Sequence, residues 1–234
     1  MSAAAKSVNA LSKTTALRQH DTHRLIPAKF TENDDSVLSR IASDERHLAD
    51  LFDLDHATND RLLGENALLP GIGRHELVFG VPYYRIVNAT FTHAHPFGGR
   101  FNAPDRGAWY AGFELETALT EVVFHKSIEY SEIQRYDDSV VYADYLADFS
   151  GAFHDLRARA GAARFLDPDS YIASQGLALE LLDAGSAGVI YPSVRRPEGT
   201  CLCCFRPVLV GNVRRGSRYR LSWSGSPEPT ISKD

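Results

Sequence analysis

Hydrophobic positions fall into distinct regimes along the chain. The first twenty residues are rich in Ser, Ala, Thr and Lys with weak apolar periodicity, so residues 1–33 read as a flexible arm. From Asp34 to Leu69, Leu38, Ile41, Leu48, Leu51, Phe52 and Leu54 recur at helical spacing and predict a helical N-terminal extension over 34–75. Pro70, Gly71 and Gly73 supply turn chemistry at its end. Helical and strand patterns alternate beyond that point. VPYYRIVNATF (81–91) reads as a strand, ELETALTEVVFHKSI (114–128) as a helix and VVYADYLADF (140–149) as a strand. SYIASQGLALELLDAG (170–185) reads as a helix stopped by Gly185, followed by two apolar strands, GVIYPSV and TCLCCFRPVLV, joined by RRPEG. The fold class expected is α/β, a mixed α+β domain over 76–212, with 213–234 as a tail. Arg214, Arg215, Arg218 and Arg220 in that tail read as a solvated edge.

Composition narrows the function classes. A chain of 234 residues with 44% hydrophobic and 24% charged positions can bury one substantial core. Its formal charge of -5 and pI near 6.0 argue against a phosphate-backbone binder, so no direct nucleic-acid binding is expected. No stretch approaches the ~20 apolar residues of a membrane helix and no signal-peptide core precedes the domain, which leads us to expect a cytoplasmic protein without a membrane partner. The three cysteines crowd into Cys201, Cys203 and Cys204, where neighbouring strand residues point to opposite faces, and reduced buried thiols are expected. Neither G-x-G-x-x-G after a strand nor G-x-x-x-x-G-K-[ST] occurs, so Rossmann and P-loop routes to nucleotide binding are unsupported.

Candidate chemistry concentrates between His93 and His125. Gly98 and Gly99 permit close backbone approach, while Arg100 and Asn102 supply donors beside them, a plausible cradle for a diphosphate. A loop arginine is also commonly a solvated or structural charge. On the following helix Leu115, Ala118, Leu119 and Val122 form the apolar stripe, and at about 100° per residue Glu121 falls at its flank near Glu114 and His125. A carboxylate there can accept ribose hydroxyls and stabilise a positively charged sugar, or can simply make an i,i+4 pair with His125. His93, His95 and His125 lack a clear acidic third ligand, so no metal is expected.

The elements YRI (84–86), GGRFN (98–102), WYAG (109–112), ETALTEV (116–122) and YPSVR (191–195) occur in the order found in the RES domain family, which the chain resembles over roughly Val81 to Pro207. The resemblance implies an ADP-ribosyltransferase-like core, here with an N-terminal helical extension, acting as the toxin of a bacterial toxin–antitoxin module. It implies NAD as substrate, consumed by glycohydrolysis or phosphorolysis, or used by a mono-ADP-ribosyltransferase to modify a protein acceptor. A cognate antitoxin is the implied partner. Carried over by motif, Arg85 and Arg100 are the basic positions, Tyr110 the aromatic one, Glu121 the acid and Ser193 the hydroxyl. Arg85, Tyr110, Glu121 and Ser193 are thus expected to be catalytic, and Arg85, Arg100, Asn102, Tyr110 and Ser193 to bind NAD. Leu119 stands two residues before the acid, where arginine-modifying transferases often carry Glu or Gln. A non-catalytic module that binds NAD or ADP-ribose is the alternative of another class.

Overall fold

The computed structural model describes residues 13–31 and 71–234. Most of the expected helical extension, residues 34–70, and the first twelve residues of the expected arm lie outside the described residues. Seven strands occur among the described residues: β1 (Thr14–Pro27), β2 (Trp109–Gly112), β3 (Asp137–Asp155), β4 (Gly188–Pro192), β5 (Thr200–Cys204), β6 (Gly211–Ser224) and β7 (Thr230–Lys233). Three helices accompany them among the described residues: α1 (Tyr84–Thr92), α2 (Leu115–Glu132) and α3 (Ile172–Asp183). The mixed α/β class is as expected.

One sheet runs in the order β1-β2-β5-β4-β3-β6-β7, and β1 also pairs with β3. The pairings β1–β2, β2–β5, β5–β4, β4–β3 and β3–β1 therefore close on themselves. β3 and β4 are parallel, and α3 lies in the crossover that such a pair requires. Side chains alternate across β2 and β5 and so feed separate cores. Trp109, Ala111, Leu202 and Cys204 join Ile86, Val87 and Phe91 of α1 on one side. Val189, Tyr191, Cys201 and Cys203 join Phe101 and α3 residues Leu177, Ala178 and Leu181 on the other. A third core sets Ala118 and Tyr130 of α2 against Leu25, Tyr142, Leu221 and Trp223.

Three expectations are corrected. Within the flexible arm expected over 1–33, the segment Thr14–Pro27 forms β1, whose Thr22 is fully buried and donates its hydroxyl to the Ala147 carbonyl at 2.8 Å. Pairing with β3 supplies the backbone partners that its weakly apolar sequence does not advertise. The strand expected over 81–91 is instead helical from Tyr84 to Thr92. Its β-branched and aromatic residues suit a strand, but Ile86, Val87, Phe91 and Thr92 share a buried helix face, and packing overrides propensity. Asn88 anchors this helix by accepting from the Val78 N–H and donating to the Val78 carbonyl. The tail expected from 213 is built into β6, paired with β3 and β7. Arg214 there bonds Asp21 and Asp148, and Arg220 bonds Asp234. All three cysteines are buried free thiols, as expected. Among the described residues no helix is long and apolar enough to cross a membrane.

Candidate active site

Helix α2 starts under close constraint from both neighbouring strands. Thr117 Oγ1 donates to Glu114 Oε2 at 2.6 Å and accepts from Arg196 Nη1 at 3.1 Å, tying the helix start to the segment after β4. Gly112 ends β2 where a Cβ would stand 2.8 Å from the Ala118 nitrogen, so only glycine permits this approach. One turn onward, Glu121 reaches the same post-β4 segment. Ser193 Oγ donates to Glu121 Oε1 at 2.6 Å and accepts the N–H groups of Arg195 and Arg196 at 3.2 and 3.0 Å. With both acceptor positions of the hydroxyl engaged, its one proton is directed at Glu121. Cys201 Sγ lies 3.7 Å from the same oxygen as a weak donor. Glu121 bonds Ser193 rather than its i+4 neighbour His125, and Glu121 Oε2 has no partner among the described residues.

The GGRFN segment folds into a tight turn closed by the Gly99–Asn102 bridge. Asn102 spends its amide N–H groups on the carbonyls of Ala103 and Arg106, both at 2.9 Å, and its oxygen accepts from Tyr110 Oη at 2.8 Å. That hydroxyl in turn accepts from the Phe101 N–H at 2.8 Å. Asn102 therefore holds Tyr110 in place, and burial pushes the Tyr110 phenol far above its ordinary range, keeping it a neutral donor. The glycines serve this contact. A Cβ on Gly99 would fall 2.5 Å from Asn102 Oδ1 and 2.8 Å from Tyr110 Oη. We expect Gly99→Ala to lower stability by about 1–3 kcal/mol through that overlap, measured as a shift of the urea midpoint; an unchanged midpoint would refute the packing argument.

Arg100 is only 7% exposed. Its Nη1 donates to the Asp167 carbonyl at 2.6 Å and its guanidinium lies 4.5 Å from the Tyr171 ring centroid. Tyr191 connects the two halves of the site: its ring packs 4.8 Å from that of Phe101, and burial, with the Glu121 carboxylate adding to it, raises its phenol. His125 senses the same surroundings. Burial lowers its pKa, Glu121 opposes that shift, and Arg195 and Arg100 reinforce it. Arg100, Asn102, Tyr110, Glu121 and Ser193 thus share one side of the sheet.

Arg85 is placed differently. It lies on α1, which packs into the opposite core, and its Nε donates to Tyr84 Oη at 3.3 Å. Two arginines were not singled out from sequence. Arg24 of β1 donates to the Tyr110 carbonyl at 3.0 Å and stands 5.1 Å from the Trp109 ring centroid; burial lowers its pKa to about 10. Its one sequence signal is an arginine set directly before the apolar pair Leu25–Ile26. Arg195 belongs to the YPSVR motif itself. His93 and His95 are engaged locally, with Thr92 and Phe97, and no cluster of three or more His, Cys, Asp or Glu suited to a metal occurs among the described residues. A groove of about 440 Å³ lined in part by Arg18, His20, Asp148, Val208 and Asn212 contains none of the site residues.

Comparison with known proteins now adds to this geometry. The family model described as RES domain matches residues 77–224, beginning near α1 and ending with β6. No curated protein matches the chain. Among solved structures, the M. tuberculosis MbcT–MbcA toxin–antitoxin complex is similar at a TM-score of 0.50 and 13% identity, covering 92% of this chain and 91% of that one. That likeness concerns the fold.

Proposed function

Because the chain belongs to the RES domain family, we propose that it binds NAD and breaks the bond between nicotinamide and ribose, acting as the toxin of a toxin–antitoxin module. The observation that carries this reading is the Glu121 carboxylate, held through Oε1 by Ser193 while Oε2 is left to accept from a ligand. Cleavage of an N-glycosidic bond sends the electron pair to the nicotinamide nitrogen and leaves positive charge on the ribose. A fixed carboxylate offsets that charge and accepts ribose hydroxyls. Arg100, without a carboxylate partner among the described residues, suits the diphosphate, and Tyr110 offers an aromatic edge beside it. A nucleophile then bonds to the anomeric carbon; with water, the surplus proton passes to solvent and ADP-ribose is released.

Leu119 favours a small nucleophile, water or phosphate, over a protein side chain. It packs against the α2 core and offers no polar group two residues before the acid. Restraint of such an activity calls for an antitoxin, and the similarity to a chain of a toxin–antitoxin complex supports that partner. Phe97 and Ile172, each 82% exposed beside Arg100 and Tyr171, give it an apolar surface near the site.

The test is nicotinamide release from NAD by the purified chain, with and without inorganic phosphate, followed by chromatography. Release is expected; its absence under both conditions would favour a module that binds NAD or ADP-ribose without cleaving it. Ser193→Ala is expected to slow release on the order of ten-fold, the worth of one hydrogen bond to a charged group. A rate equal to that of the unaltered chain would show that Glu121 needs no such support.

A further inference from the structure

The turn that begins at Asp167 holds two arginines at once. Arg100 Nη1 donates to the Asp167 carbonyl and Arg195 Nη2 to the next carbonyl, that of Pro168, each at 2.6 Å. The turn itself is closed by Asp167 Oδ1, which accepts the N–H groups of Asp169 and Ser170 at 2.8 and 3.2 Å. Each guanidinium also rests on an aromatic ring: Arg100 on Tyr171 at 4.5 Å, Arg195 on Phe124 at 3.4 Å. Among the described residues neither arginine forms an ion pair with a carboxylate.

Two like charges fastened to adjacent carbonyls repel one another, and drawing them partly out of water adds to that cost. An anion shared between them reverses both effects. Both guanidiniums are tied to the carbonyls of consecutive residues, which keeps the two cations within reach of one polyanionic group. Each planar fork can engage one phosphoryl group through paired N–H donors. Arg195 also lies two residues from Ser193 and donates its backbone N–H to that hydroxyl, so one segment carries both this cation and the hydrogen-bond donor to Glu121. The depressed His125 pKa, to which both arginines contribute after burial, is consistent with their charges meeting in one place.

We propose that Arg195 is a specificity-determining residue of this site, forming with Arg100 a two-guanidinium clamp that selects a nucleoside diphosphate group over a monophosphate. This rests on the reading of the site as one for NAD. The inference assigns discrimination to a residue that packs on Phe124, one turn from the acid, and it makes the turn at 167–170 the common support of both cations.

Titration calorimetry of the full chain with ADP and with AMP tests it. The unaltered protein is expected to bind ADP more tightly than AMP. Arg195→Met should weaken ADP about ten- to a hundred-fold while changing AMP by less than about three-fold, so that the preference collapses. Arg195→Lys keeps the charge without the planar fork and should restore only part of the difference. Undiminished ADP affinity in Arg195→Met would overturn the clamp, as would an equal loss of both ligands with a lowered melting temperature, which marks a structural role. Nicotinamide release by the unaltered chain alongside either result would leave the NAD reading standing and remove this inference alone. If neither release nor binding of either nucleotide occurs, both fall.

Discussion

If the chain cleaves NAD as proposed, Glu121→Gln is expected to lower the rate of nicotinamide release by about a hundred- to a thousand-fold, the loss that follows removal of a preorganised electrostatic partner of a transition state. The substitution keeps an oxygen that can accept the 2.6 Å hydrogen bond from Ser193, so the post-β4 segment and α2 stay joined. Only the negative charge goes, and a neutral amide cannot offset the cation that forms as the glycosidic bond opens. The loss should therefore appear in kcat more than in KM, because Arg100 retains its support on Asp167 and Tyr171. Steady-state kinetics alongside a melting curve separates chemistry from folding. A variant within ten-fold of the parent rate would remove Glu121 from the catalytic role.

Arg106→Ala produces the largest expected loss of stability. The Arg106 side chain is 7% exposed and donates to both oxygens of Glu76, at 2.9 and 2.8 Å, and to the carbonyls of Gly71 and Phe205, both at 2.8 Å. It joins the segment before α1 to the end of β5. Truncation strands a carboxylate and two carbonyls at once, a loss of about 3–5 kcal/mol for a buried pair broken on one side. For a chain of this size the melting temperature should fall by roughly 10 °C. The hydrogen bond from Arg106 holds Glu76 below its ordinary range against the opposing effect of burial. A carboxylate with a depressed folded pKa adds stability that is complete above its unfolded value and is lost as pH falls through the folded one. The gap between parent and Arg106→Ala should therefore be full at pH 7 and shrink as pH falls below about 4. A gap that stays constant with pH would show that the pair contributes through packing alone.

Local pattern made two of the three described helices legible, α2 and α3. Leu115, Ala118, Leu119 and Val122 marked α2 and placed Glu121 on its flank, and Gly185 marked the end of α3. The motifs around Gly98, Trp109 and Tyr191 pointed to the family without any coordinates, and the family model spans the same stretch. Pattern failed where pairing or packing partners lie far along the chain. β1 draws its backbone hydrogen bonds from β3, more than a hundred residues away, so its own composition reads as an unstructured arm. The residues at 84–92 satisfy a strand by propensity and a helix by burial, and contact with β2 and β5 decides between them.

Residue types at the site, their order and the family are readable from the amino-acid sequence alone, because those are properties of local chemistry and motif spacing. Tertiary structure decided their partners. Ser193 directs its proton to Glu121 only because two backbone N–H groups fill its acceptor positions, and Asn102 serves Tyr110 because the turn at Gly99 brings the two side chains together. Arg85 and Arg100 both stand at basic motif positions, yet the helix of one packs against Trp109 and Leu202 while the guanidinium of the other is held on the Asp167 carbonyl. Hydrogen-bond direction, burial and the distance between charges depend on contacts between segments far apart in the chain, and these exist only once the sheet has closed.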